Sequence, residues 1–524
     1  MILGPPTAAS IAAPPGQGRI TLDELFRRAA SRRPGATALV DAPNRQEFTD
    51  GAPLRLSYAE ADRMISAIAG RLRRMGLPTD AIVGIQMPNI VENVLTMLGV
   101  LRAGLIVAPL PLLWRRADAV TALARVGAKA LMSCRRVGGF AHSAFAMNVA
   151  AEVFSIRYVG GFGDKLPDGV VPFDDLFTAA KLDAVPPVDR EADATAHLAV
   201  TTFEVGEDGP LPVARRHLEL LAGGLGALLE SRIEQDAGVL SAVAPTSFAG
   251  ICLTLVPWLL SGGTLSLHHP FAAEVFARQR RDERAGTLIL PAAVAFRLAE
   301  TGLFAREGPT TVLAAWHAPE RLAGSPEWPA RDATLIDVAI FGEAGFVTSR
   351  RGVGGRPLPI PFGPVAAPRD AKDGVAIAEL GVTETGTLAL RGPIVPRHVF
   401  PPGIERSDQP HLEIARDGFV DSGFPCRIDP LSQTLTVTGP PSGIVNVGSY
   451  RFPLCSLLAM IGRIDSGAAL AALPDPLTGH RLVGTAANLD GMAAALRALG
   501  VNPLVSAAFG ERGEQVLREA VAVG

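Results

Sequence analysis

Lysine is almost missing from this chain. It occurs only at positions 129, 165, 181 and 372, so 45 of the 49 basic residues are arginines. Arginine binds anions well, but it does not titrate as a base, and its planar fork cannot replace a compact ammonium on a flexible stem. Cysteine is also scarce: the four thiols at 134, 252, 426 and 455 show no CxxC or metal-ligand spacing, which excludes a zinc ribbon and a disulfide scaffold and fits reduced thiols in a cytosolic protein. There is no strong charge of either sign, since 49 basic against 52 acidic residues leave a formal charge of −3. The densest basic segments, RLRRMG (71–76) and RQRRDER (278–284), read as solvated helix faces, so no nucleic-acid partner is expected. Long uninterrupted apolar runs are missing too. Glu92 and Arg102 interrupt residues 90–114, while Pro245, Pro257, Gly262 and Gly263 divide the uncharged stretch 237–273. The longest helix expected there is about ten residues, against roughly 20 for a membrane span. MILGPPTAASIAAPPGQGR has no basic n-region followed by an apolar core, so a cytoplasmic location without a signal peptide is expected.

Familiar catalytic signatures are missing as well. GxSxG does not occur, and His268-His269 has no carboxylate or cysteine at ligand spacing, so no metal site is expected. GVGG (352–355) reads as a turn, because no strand–helix pair brackets it as a dinucleotide site requires.

What the chain does have is size and alternation. Its 524 residues are 48% hydrophobic, enough for a large core. TLDELFRRAASRRP (21–34) has helical spacing behind a threonine cap, and 54–110 reads strand, helix, strand, helix, strand. Strand-like runs return at 128–133, 155–160, 197–203, 238–243, 264–267, 287–290, 311–315 and 333–340. Repeated βαβ units predict an α/β protein whose large N-terminal part holds mostly parallel sheets flanked by helices. Short strands at 384–393, 417–423 and 433–439 predict a β-rich subdomain over 350–438. The expected organisation is a flexible leader (1–20), a main domain (21–438) and, after the breaker GPPSG, a small α+β lid-like domain (439–524).

The order of landmarks resembles the adenylate-forming (AMP-binding) superfamily, which includes acyl-CoA synthetases, luciferases and peptide-synthetase adenylation domains. The resemblance rests on LSYAEADRMISAIAGRLRRMG and the strand–helix–strand segment after it, PWLLSGGTLSL (257–267), GTLALRGP (386–393), DGFVDSG (417–423) and LPDPLTGHRLVGTAANLDG (473–491). It implies that family's fold and its reaction, in which ATP activates a carboxylate as an acyl-adenylate and a thiol then takes the acyl group. ATP, Mg²⁺ and CoA would be needed if that activity is kept. A small-molecule carboxylate, an acyl-CoA or an acyl carrier protein are the implied partners.

At the motif positions the chain departs from the family. Where TSGTTGxPKG is usual, residues 203–212 read FEVGEDGPLP, with Glu204, Glu207 and Asp208 in the loop and Leu211 at the lysine position. Three carboxylates there would repel a triphosphate by about 1–4 kcal/mol per contact at ~4 Å. Thr201, Thr202 and Gly206 remain as candidate nucleotide contacts, and Gly342 and Glu343 stand where the family places a Mg²⁺-binding glutamate. The family's ribose-binding aspartate corresponds to Phe424, its hinge arginine to Pro440, and its acyl-site histidine to Phe248. No lysine follows Lys372, although Arg512 and Arg518 lie in the tail. Gly448, Ser449 and Arg451 keep the character of the thiol-tunnel segment. The expectation is an acyl-CoA synthetase-like protein with a degraded ATP site. The alternatives are an active ligase with a rewired nucleotide site and a scaffold subunit for a competent paralogue.

Overall fold

The computed structural model describes residues 20–178, 185, 188, 194–304, 310–371 and 373–510. The expected leader, apart from its last residue, and the tail arginines 512 and 518 lie outside the described residues. Thr21 caps the first helix, Leu22–Arg32, by accepting from the Glu24 N–H, and Ser57 and Glu60 form a reciprocal capping box at the start of helix Tyr58–Arg74. Both helices turn apolar faces inward, where Phe26, Tyr58 and Trp258 pack ring against ring.

Two large sheets carry the architecture. The eight-stranded sheet runs, edge to edge, Gly345–Arg350, Ala333–Phe341, Thr310–Trp316, Thr287–Pro291, Gly238–Ser241, Thr264–Leu267, Thr37–Val40 and Arg55–Ser57. Its six inner strands are parallel and both edge pairs are antiparallel. The seven-stranded sheet runs Val170–Pro172, Tyr158–Phe162, Ala130–Cys134, Ile82–Gln86, Ile106–Pro109, Leu198–Gly206 and Gly209–Arg216, with only the last pair antiparallel. This is the mixed α/β class that the alternation predicts. A six-stranded antiparallel sheet spans 360–437 and a four-stranded one spans 444–485.

Two expectations are corrected. Helix Phe248–Ser261 is 14 residues long, not about ten, because Pro257 is accommodated inside it. Among the described residues, no helix is long and apolar enough to cross a membrane. Residues 204–212 are not a loop. They form the tip of a hairpin in which Gly206 pairs with Gly209 around Glu207 and Asp208, and the next helix starts only at His217. Pro210 and Pro212 are tolerated because Gly209–Arg216 is an edge strand.

A buried charge cluster clamps the segment after Val40. Arg45 reaches Asp41 at 2.6 Å and Glu92 at 2.5 Å, while Asp41 also accepts the Val91 N–H at the start of helix Val91–Arg102. Replacing Arg45 by methionine strands two buried carboxylates. The expected loss is about 3–5 kcal/mol of unfolding free energy, measured by urea denaturation at neutral pH.

Candidate functional site

The hairpin and the Glu343 turn meet the C-terminal sheet at the carboxyl ends of the parallel strands, where open α/β sheets bind ligands. Strand Ala333–Phe341 delivers the Gly342-Glu343 turn. Strand Leu198–Gly206 delivers Thr202 and Glu204, and hairpin strands Ile444–Val447 and Tyr450–Pro453 deliver Gly448, Ser449 and Arg451.

These groups satisfy one another. The Glu204 carboxylate accepts the Glu343 N–H at 2.6 Å and pairs with the Arg451 guanidinium, which also lies over the Phe424 ring at 5.1 Å. The Glu343 carboxylate is buried. It accepts the Thr202 hydroxyl at 2.5 Å and the Phe248 N–H at 3.1 Å. Arg215, fully buried, donates to the Glu343 and Ile394 carbonyls and stacks on Phe248 with 3.9 Å to the ring centroid. Gly342 has a positive φ of 60°, and a Cβ there would strike Glu204 and Arg451, so only glycine suits this turn. Phe424 is buried against Phe341 at a centroid distance of 6.0 Å.

The space left is small. The cleft lined by Glu204, Gly342, Glu343, Gly448, Ser449 and Arg451 holds about 80 Å³. That is room for two or three waters, whereas small-molecule sites span roughly 300–1,000 Å³. Burial, opposed by the Thr202 hydrogen bond and by Arg215, raises the Glu343 carboxyl from its usual 4.5 to about 7.

Six of the eight expected site residues therefore converge: Thr202 through its bond to Glu343, and Gly342, Glu343, Gly448, Ser449 and Arg451 as lining or ion-pair partners, while Gly206 and Thr201 lie apart and Glu204 joins the set. Thr201 is buried with a hydroxyl that has no partner, and Gly206 sits beside the hairpin turn. Of the three loop carboxylates only Glu204 faces the cleft, since Glu207 and Asp208 lie exposed at the tip. Sequence reasoning missed Arg215, Glu204's pairing with Arg451, and the hairpin. The Glu207-Asp208 pair between Gly206 and Gly209, flanked by the runs TTFEV and LPVAR, was the available signal for the last of these.

A second cavity, of about 470 Å³, opens on the other side of the Gly448-Ser449 turn. Its walls include Pro291, Phe296, Trp316, Pro326 and Leu477, and His317 borders both spaces. Burial, reinforced by Arg451, pushes the His317 imidazole down to about 4, so it is neutral at pH 7, and its Nε2 has no hydrogen-bond partner. Asn446 bonds to the His317 carbonyl at 3.2 Å. Among the described residues no cluster of His, Cys, Asp and Glu could hold a metal ion.

The family profile described as AMP-binding enzyme matches residues 26–390, and the chain belongs to that family. Among solved structures, the amide bond synthetase McbA from Marinactinospora thermotolerans superposes with a TM-score of 0.69 at 18% identity, covering 93% of this chain and 94% of that one. Mycobacterium smegmatis MbtA gives 0.62 at 21% identity, covering 93% and 90%. These likenesses establish the adenylate-forming fold. Long-chain fatty acid transport protein 1 of Bos taurus is 31% identical over 156 residues, 30% of this chain and 22% of that protein. The beauvericin synthetase BEA1 of Gibberella fujikuroi is 32% identical over 89 residues, 17% of this chain and 2% of that protein, so the chain spans a minor part of both relatives.

Glu343→Gln tests the pinned carboxylate. With its pKa raised in the folded state, the native protein keeps a proton that the unfolded chain releases, so wild-type stability falls as pH rises from about 4.5 through about 7. The glutamine variant is expected to be more stable than wild type at pH 8 by on the order of 1–3 kcal/mol. The gain should vanish near pH 4, as read from urea midpoints.

Proposed function

We propose that this member of the acyl-CoA synthetase-like AMP-binding family does not adenylate and instead binds an acyl thioester or its pantetheine thiol. The observation that carries this reading is the 80 Å³ cleft at the nucleotide position, set beside the 470 Å³ cavity behind Gly448 and Ser449. A triphosphate needs donors around it, yet here the backbone is turned into a hairpin and the available N–H of Glu343 is already given to Glu204. Mg²⁺ needs accessible carboxylate oxygens, while Glu343 spends its own on Thr202 and Phe248. The residues present do not fit ATP or Mg²⁺.

The apolar cavity suits an acyl chain or the pantetheine arm, and the neutral His317 imidazole with the Ser449 hydroxyl could hydrogen-bond a thioester carbonyl or an amide at its inner end. The C-terminal sheet is held in place around that space. The Tyr450 hydroxyl accepts the Leu113 N–H, Ser456 donates to the Glu207 carbonyl, and Arg321 donates to the Asp475 carbonyl. Such ties oppose the rotation by which family members alternate between half-reactions.

Calorimetric titration separates the readings. Mg-ATP and AMP are expected to give no heat of binding at millimolar concentration, and octanoyl-pantetheine is expected to bind with a micromolar constant. Nucleotide binding below millimolar, with pyrophosphate released only when a carboxylic acid is added, would overturn the proposal and establish an active ligase.

A further inference from the structure

Another cleft lies at the opposite end of the eight-stranded sheet. It holds about 740 Å³ between residues 327–335 and the turn 350–355, where strand Ala333–Phe341 begins and strand Gly345–Arg350 ends. Glu343 follows the far end of that nine-residue strand, roughly 27–30 Å away. The sequence pattern assigned GVGG only to a turn, and the function proposed above does not use it.

The charge balance of this cleft is positive and partly unspent. Arg331 is exposed on its wall and makes no hydrogen bond or ion pair among the described residues. Among the described residues the Arg350 guanidinium is held by a long 3.5 Å bond to the Glu230 carbonyl, while the Glu230 carboxylate accepts the Arg350 backbone N–H at 2.9 Å. The one carboxylate on the wall, Glu327, is paired with Arg356 at 2.7 Å, and the neighbouring Asp332 does not line the cleft. Arg351 is different: it is buried and fully engaged, with Asp337 at 2.8 and 3.1 Å, Ser325 at 2.6 Å and the Pro326 and Gly355 carbonyls at 2.7 and 3.0 Å. It fixes its part of the wall, and Arg331 and Arg350 line the same cleft without a carboxylate paired to either guanidinium among the described residues. Two arginines without carboxylate partners around an open volume of this size suit a doubly or triply charged oxyanion, which accepts forked N–H donors.

We propose that this cleft is a binding site for a small phosphate-bearing anion, held by Arg331 and Arg350 over the Gly352–Gly355 turn and separate from the adenylation cleft. Arg351 is the wall it shares with the apolar cavity, since Ser325, Pro326 and Phe296 line that cavity and all three contact Arg351.

The test is calorimetric titration of the full chain with inorganic pyrophosphate at fixed ionic strength. Wild type is expected to show saturable one-site binding. Arg331→Gln should weaken it at least threefold and Arg331→Gln/Arg350→Gln at least tenfold, with melting temperature in ligand-free buffer unchanged for the single variant, whose side chain has no partner to lose. Glu343→Gln should bind as wild type does. Equal affinity in wild type and the double variant, or no saturable binding beyond that of a chloride control, would overturn the site. Weakening by Glu343→Gln would instead place pyrophosphate in the adenylation cleft and would count against the functional reading as well.

Discussion

The contact between Glu204 and Arg451 decides the character of the molecule. It joins the first strand of the hairpin to the C-terminal sheet, 247 residues later in the chain. Both side chains are mostly buried, so the pair is stable only because each partner compensates the other's desolvation. Glu204 also takes the Glu343 N–H and thereby fixes the turn at Gly342. Phe424 lies beneath the guanidinium and packs against Phe341, so the turn, the ion pair and the ring form one connected set of side chains.

That polar tie lies on an apolar one. Leu110, Leu113, Trp114 and Phe203 from the seven-stranded side share a single buried cluster with Val445, Val447, Tyr450, Phe452 and Leu496 from the C-terminal side. Separating the two would expose this surface at about 25 cal/mol per Å² and leave the Leu113 N–H without Tyr450. The closed cleft and the anchored C-terminal sheet are thus one energetic arrangement. Opening the first requires loosening the second.

Much of the scaffold is legible in the sequence because its signals are local. The Thr21 and Ser57 caps, the parallel strands bounded by glycine and proline, and the β-rich segment after 350 all follow from residues within a turn or two of each other. The site was only half legible. Gly342, Glu343, Gly448, Ser449 and Arg451 were found through motif position, and the chain does bring them together. The pairing of Glu204 with Arg451 depends on how two distant hairpins are presented, which no local pattern encodes. Reading 203–212 through the register of a phosphate loop also hid its own alternation: Gly and Pro suggested a loop, although two prolines on an edge strand break no ladder that matters. The length of helix Phe248–Ser261 was misjudged for a similar reason, since tertiary burial on nearly every face outweighs the defect at Pro257.

The two unfilled spaces that remain are chemically unlike, and that contrast is informative. One is lined by Phe296, Trp316, Pro326 and Leu477, while the other carries Arg331 and Arg350 on its wall. Arg351 sits between them. One fork of its guanidinium holds Asp337, whose second oxygen accepts the Trp316 indole N–H at 2.8 Å, and Trp316 lines the apolar cavity. The 350–355 turn is thereby connected to that indole through two charge-assisted hydrogen bonds, which do not involve the residues around Glu343. The fold thus holds a hydrogen-bonded connection between an arginine-lined cleft and an apolar cavity.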